Sequence, residues 1–147
     1  MKIFIISSFA LLSLAAGLPL SAGELTPAMV AERLAKDEGY QFFTFHSDTA
    51  QPCQLVVRFN GAENVQNTLD LPAWKDCVVA VRLGKNNTLE AVRVYSDRAS
   101  MSMAFPVGHF PEFSNVVSQA EIQAGDPFLT LGSTGGELQL VLRPRKA

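Results

Sequence analysis

The stretch "ASMSMAFPVGHF", Ala99 to Phe110, is the first place in this 147-residue chain where residue types suggest chemistry. Met101, Met103 and His109 supply two thioethers and an imidazole, a soft donor set that suits Cu(I) in an exported protein, with His46 as a further candidate ligand. The same spacing has a plainer meaning. On a strand, Met101, Met103 and Phe105 point to one face, which is how a core stripe is written, and methionine fills gaps in apolar interiors. The strand reading ranks first; copper binding through Met101, Met103 and His109 stays as an alternative, and no other cofactor is expected.

Other constellations carry less chemistry. "LGSTGG", Leu131 to Gly136, holds a serine among glycines but is not G-x-S-x-G, and it lies between two strands, so it reads as a hairpin turn. "GKNN" lacks the hydroxyl residue and the preceding glycine of a phosphate loop. The two histidines, His46 and His109, form no zinc pair of the H-E-x-x-H kind. Asp70, Asp76, Asp97, Glu112 and Asp126 neighbour turn residues, where solvated acids normally sit. No catalytic residue is assigned, and the chain is expected not to be an enzyme.

The elements that would position these groups begin with a leader. Lys2, the apolar "IFIISSFALLSLAAGL" and the small residues of "PLSAGE" read as a signal peptide over residues 1–22, with cleavage after Ala22 or Gly23. The apolar run breaks at Gly17 and Pro19 and no basic stop-transfer cluster follows, so no transmembrane segment is expected in the mature chain. The expected location is periplasmic or secreted. Residues 23–147, about 125 of them, suit a single domain with one core. The net charge is −2 for the whole chain, and the loss of Lys2 with the leader makes it one unit more negative. Such a surface gives no electrostatic reason to bind nucleic acid. The basic "RPRK", Arg143 to Lys146, reads as a solvated tail.

The mature chain opens on a short helix, with Thr26 as N-cap, Pro27 at the first helical position, a narrow stripe of Met29, Val30 and Leu34, and Gly39 as the stop. After Gly39 the apolar period changes from 3.6 to 2. "YQFFTF", "CQLVVRFNG", "CVVAVRLG", "TLEAVRVYS", "SMSMAF", "AEIQA", "PFLTL" and "ELQLVLR" read as strands, with Val78 to Leu83 and Leu89 to Tyr95 forming a hairpin. The expected fold is all-β: an immunoglobulin-like β-sandwich of about seven or eight strands with one short N-terminal helix.

Cys53 and Cys77 form an even pair in an oxidising compartment, which favours a disulfide. It would close a loop of roughly 25 residues, worth about 3.5 kcal/mol by chain entropy. Bonded cysteines need Cα atoms within about 7 Å. In a flat meander with "NVQNTLDL" running back between them they would lie roughly 9.6 Å apart. The two strands are therefore parallel neighbours or face each other across the core, and the sandwich, which is the second arrangement, is favoured.

The segment "PCQLVVRFNGAENVQNTLDLPAWKDCVVAVRLGKNNTLEAVRVYS", Pro52 to Ser96, resembles the immunoglobulin-like accessory domain ahead of the catalytic domain in exported lysostaphin-type peptidoglycan metallopeptidases. The resemblance lies in the alternating strand ending in "RFNGAENVQ", the polar stretch, "LPA" and the second valine-rich strand. Those peptidases carry H-x-x-x-D and H-x-H zinc motifs, and this chain has neither. What the resemblance implies is a binding or scaffolding sandwich in the envelope, without the hydrolase. The closing "GELQLVLR", Gly136 to Arg143, is similar to the last strand, G-x-Y-x-L-x-V, of small periplasmic lysozyme inhibitors, with Leu138 in place of the tyrosine; Ser133 and Gly135 would imitate part of their inhibitory loop.

The expected function is therefore a non-catalytic, exported binding or accessory protein with a protein or peptidoglycan-related partner in the cell envelope. Inhibition of a lysozyme-like hydrolase is the alternative. The expected partner-binding residues are Phe105, His109, Phe110, Phe113, Ser133 and Gly135, because "FPVGHFPEFSN" places aromatic area on a loop. The competing expectation is that these phenylalanines turn inward and cap the core.

Overall fold

A computed structural model of the chain describes residues 27–96 and 99–145. The leader, Thr26 and Asp97 lie outside the described residues. The helix α1 spans Pro27–Glu38 and is followed by Gly39, whose positive φ of 71° supplies the left-handed residue that ends it. Seven strands follow: β1 (Gln41–Phe59), β2 (Ala62–Leu83), β3 (Leu89–Tyr95), β4 (Ser100–Ala104), β5 (Asn115–Ser118), β6 (Pro127–Ser133) and β7 (Gly136–Pro144). The all-β expectation holds. Among the described residues no helix is long and apolar enough to cross a membrane.

The strands form one continuous antiparallel sheet in the order β4-β3-β2-β1-β7-β6-β5, where the sequence suggests two separately bonded ones. Curling of β1 and β2 accounts for the difference. "YQFFTF" and "CQLVVRFNG" belong to one strand of 19 residues, and β2 runs for 22 through the polar stretch that a reading by alternation leaves unassigned. The β1–β2 register shifts between His46 and Gln51 and again before Cys53, and such irregularities bend a strand pair. Phe43 and Phe45, before the bend, pair with Val79 and Cys77; Leu55 and Val57, beyond it, belong to the part of β1 that pairs with β7. The sheet thus has two leaves. One comprises the start of β1, the end of β2, β3 and β4; the other comprises the end of β1, the start of β2, β7, β6 and β5.

The concave faces of both leaves enclose one core, in which Phe43, Leu55, Val57, Val79, Val81, Val92 and Val94 meet Phe128, Leu129, Leu131, Leu138, Leu140 and Leu142. The free edge of the first part of β1 is covered by the segment after β5: Thr44 N–H donates to Ala120 O at 2.9 Å and Ile122 N–H to Thr44 O at 2.8 Å. That segment is the "AEIQA" expected as a strand. It makes only an isolated parallel bridge, Thr44 with Glu121, and the strand lies earlier, at Asn115–Ser118. All four residues of β5 are exposed, so there is no buried-exposed alternation to betray it.

Cys53 and Cys77 lie on either side of the bend, on antiparallel neighbours, opposite Leu71 and Phe45 respectively. This is neither arrangement derived from flat strands. Both side chains are buried in the same core, with no bond drawn between them in this structure.

Candidate functional site

The convex side of the second leaf gathers the densest polar network among the described residues. Three rows of side chains cross its strands: Asp70, Gln54 and Arg143; Thr68, Val56 and Val141; Glu63, Arg58 and Gln139. Alternation dictates this, because the residues on either side of core-facing Leu55, Val57 and Leu140 along their strands must point the other way. In the middle row Val56 and Val141 are fully buried although they sit outside the core, roofed by the polar rows beside them.

A wide bulge in β2 gives this face relief. Between the pairs Val56–Thr68 and Arg58–Glu63 only Val57 intervenes on β1, whereas Asn64, Val65, Gln66 and Asn67 intervene on β2. Asn64 Oδ1 accepts the Gln66 N–H at 2.9 Å, and Thr68 Oγ1 donates to Asn64 O at 3.0 Å, so the bulge is held by its own side chains. It lifts Val65 to 89% exposure. Between bulge and strands runs a groove of about 420 Å³ lined by Gln54, Glu63, Asn64, Val65, Thr68, Asp70 and Arg143. A second hollow of about 310 Å³, lined by Gln54, Arg143, Pro144 and Arg145, shares two of these residues.

The groove divides into a locked floor and an open rim. On the floor, Arg143 grips Glu63 with both terminal nitrogens at 2.8 Å, a bidentate fork. Its Nε and Nη2 also donate to Gln54 Oε1, at 3.3 and 3.0 Å. Arg58 adds Nε and Nη2 bonds to Glu63 at 3.3 and 3.2 Å and reaches Gln139 Oε1 at 3.2 Å. The Arg143 fork, then Arg58, holds the Glu63 carboxyl below its ordinary range, and Glu63 in turn raises Arg143. On the rim, Asp70 takes one bond from Gln54 Nε2 at 2.9 Å, and Arg145 stands 3.5 Å from its other oxygen. Asn64, Thr68 and Val65 complete the rim.

The expected partner-binding loop is differently built. Phe110 and Phe113 are 5% and 3% exposed and belong to the core, so the inward, capping arrangement is the one observed. Neither ring offers area to a partner, so Phe110 and Phe113 are core residues where the sequence suggests binding ones. The loop turns back through Pro106–His109, where the His109 N–H donates to Pro106 O at 3.0 Å and Gly108 takes φ 86°. This aims the chain inward. Phe105 is half-buried, with its ring 5.2 Å from Phe110 and 5.6 Å from the stacked, exposed ring of His109. Met101 and Met103 are half-buried and pack against the core beside Phe105. Ser133 and Gly135 lie in the β6–β7 turn, where Ser133 Oγ accepts the Gly135 N–H at 3.3 Å. The Ser114 N–H donates to Gly132 O at 3.0 Å, so this turn and the phenylalanine loop share one end of the molecule.

At the bend, His46 sits between two carboxylates, with Nδ1 2.5 Å from Asp76 and Nε2 3.5 Å from Asp48. The bond to Asp76 raises its pKa. Among the described residues no group of three or more His, Cys, Asp or Glu side chains gathers as metal ligands would.

The groove was within reach of the sequence. Gln54 and Arg58 alternate with core residues on β1, and Arg143, read as part of a tail, continues the alternation of "ELQLVLR". What hid them was the bend and the bulge, which put Glu63 and Asp70 beside them. No family model matches the chain, and no match is found among curated proteins or solved structures.

Proposed function

We propose that the chain is a non-catalytic binding or accessory protein of the cell envelope, exported by its leader, bridged at Cys53 and Cys77, and engaging a protein or cell-wall partner through the β1–β2–β7 groove. The observation that carries this reading is the division of the groove. A floor whose donors and acceptors are already matched costs little to order on binding, and a rim with spare hydrogen-bonding capacity can address a ligand. The segment Pro52 to Ser96, which resembles an accessory domain, supplies Gln54, Arg58, Glu63, Asn64, Thr68 and Asp70. The bridge is supported by the shared burial of the two thiols in one core. Burial pushes the Cys77 thiol up to about 12, so its thiolate is scarce once the core has packed. Oxidation belongs to the folding chain as it emerges into the compartment.

A photo-crosslinking residue placed at Val65 tests the binding surface, with Val107, 102% exposed on the phenylalanine loop, as the control position. The expected result is a discrete adduct to an envelope protein or to isolated cell wall from position 65 and none from position 107. Adducts from 107 alone, or from neither position, would overturn the reading.

A further inference from the structure

The rim of the groove has a chemical preference, and this inference rests on the binding role proposed above. We infer that the groove takes the carboxyl-terminal end of a peptide. Arg143 and Glu63 are committed to each other through two 2.8 Å bonds, and both sides of the Gln54 amide are engaged, by Arg143 and by Asp70. They are scaffold. The ligand-facing charges are Asp70 and Arg145, whose contact is long at 3.5 Å and whose side chains are 55% and 40% exposed. An exposed pair of that length is worth little, so a ligand that answers both charges can open it.

The last residue of a peptide presents a carboxylate and, two bonds away across its Cα, an amide N–H. The carboxylate suits the Arg145 guanidinium, which projects into the second hollow and can grip it as a fork. The N–H suits the Asp70 carboxylate beside it. The preceding carbonyl finds a donor on the bulge in the Asn64 side-chain NH2, and the terminal side chain finds an apolar surface in Val65. Capture of a terminal carboxylate is an established way of recognising peptides. A combined space of a few hundred Å³ holds two or three residues. A saccharide fits less well: among the lining residues none is aromatic, so a sugar ring would find no face to stack on.

The test is an amide-resolved NMR titration of the mature chain with trialanine, trialanine amide and chitotriose. Trialanine is expected to shift the amides of Asn64, Thr68, Asp70 and Arg145, and its amide, which lacks the carboxylate, to bind about tenfold more weakly. Arg145→Gln should weaken trialanine about tenfold and erase the distinction between the two peptides, with an unchanged melting temperature showing that the variant is folded. Equal binding of acid and amide, shifts mapping elsewhere, binding of chitotriose alone, or no binding would each overturn the inference. Crosslinking from position 65 would survive all of these outcomes if a different partner uses the groove, so the two ideas fail separately.

Discussion

The two convex faces of the curled sheet are covered in opposite ways. On the first leaf, α1 lays Val30 and Leu34 over Tyr40, Ala80 and Ala91, forming a second, apolar cluster. On the second leaf no helix arrives among the described residues, and Val56 and Val141 are flanked instead by the arginine and glutamine side chains of the neighbouring rows. An apolar cover is non-directional and leaves nothing to address a ligand, whereas a cover of paired charges and amides fixes donors and acceptors in space. One sheet thereby carries an apolar cover on one leaf and a fixed polar cover on the other.

The largest effect that bears on this contrast is expected from Leu34→Ala. Removing a nearly buried leucine from a thin helix-on-sheet contact should cost about 2–3 kcal/mol in urea unfolding, the lower part of the range for such truncations. A loss as small as that of an exposed residue would mean that α1 contributes nothing to the first leaf. Next comes Arg143→Ala, which removes the fork on Glu63 and uncovers Val56 and Val141. Because Arg58 still faces Glu63, the expected cost is about 1–2 kcal/mol. Should Arg143→Ala exceed Leu34→Ala, the division of labour between the faces would be reversed.

The pH response separates the faces further. Arginine contacts hold the Glu63 pKa below its unfolded value, so the stabilisation is present above about pH 4.5 and disappears as the pH falls through the folded value. The difference in unfolding free energy between the wild type and Glu63→Gln should therefore shrink from pH 7 toward pH 3. The Leu34→Ala difference, which has no titrating origin, should change little over the same range. A Glu63→Gln difference that stays constant would show that the fork does not stabilise the fold.

These contrasts also show what can be read from the sequence and why the rest cannot. Helix α1 was legible because Pro27, the Met29–Val30–Leu34 stripe and Gly39 act locally. The halves of β1 and β2 were legible because Phe43, Phe45, Leu55 and Val57, or Val79 and Val81, alternate. What joins the halves was not. The bend from His46 to Cys53, which contains Pro52, and the bulge from Asn64 to Asn67 change register inside continuous strands, and their runs of polar residues look like loops. The groove depends on both, since it is the register that sets Asp70 and Glu63 beside Gln54 and Arg58. The aromatic loop misled for a related reason: Phe110 and Phe113 sit among turn residues, yet the Asn87 side-chain amide donates to Phe113 O at 3.1 Å and pins the loop inward.

The smallest expected effect lies at the bend, which belongs to neither face. His46 is raised chiefly by its hydrogen bond to Asp76, with help from Asp48, and all three side chains are exposed. A raised histidine contributes stability below its unfolded pKa of about 6.5, and that contribution is lost as the pH rises through the folded value. The sign is opposite to that of Glu63, so acid weakens the groove face while it strengthens the bend. NMR titration of the His46 ring should give a midpoint above that of a free histidine, and Asp76→Asn should bring it down further than Asp48→Asn does. If the two variants moved it equally, the pairing of His46 with Asp76 across β1 and β2 would not hold the bend. The bend would then depend on backbone register alone.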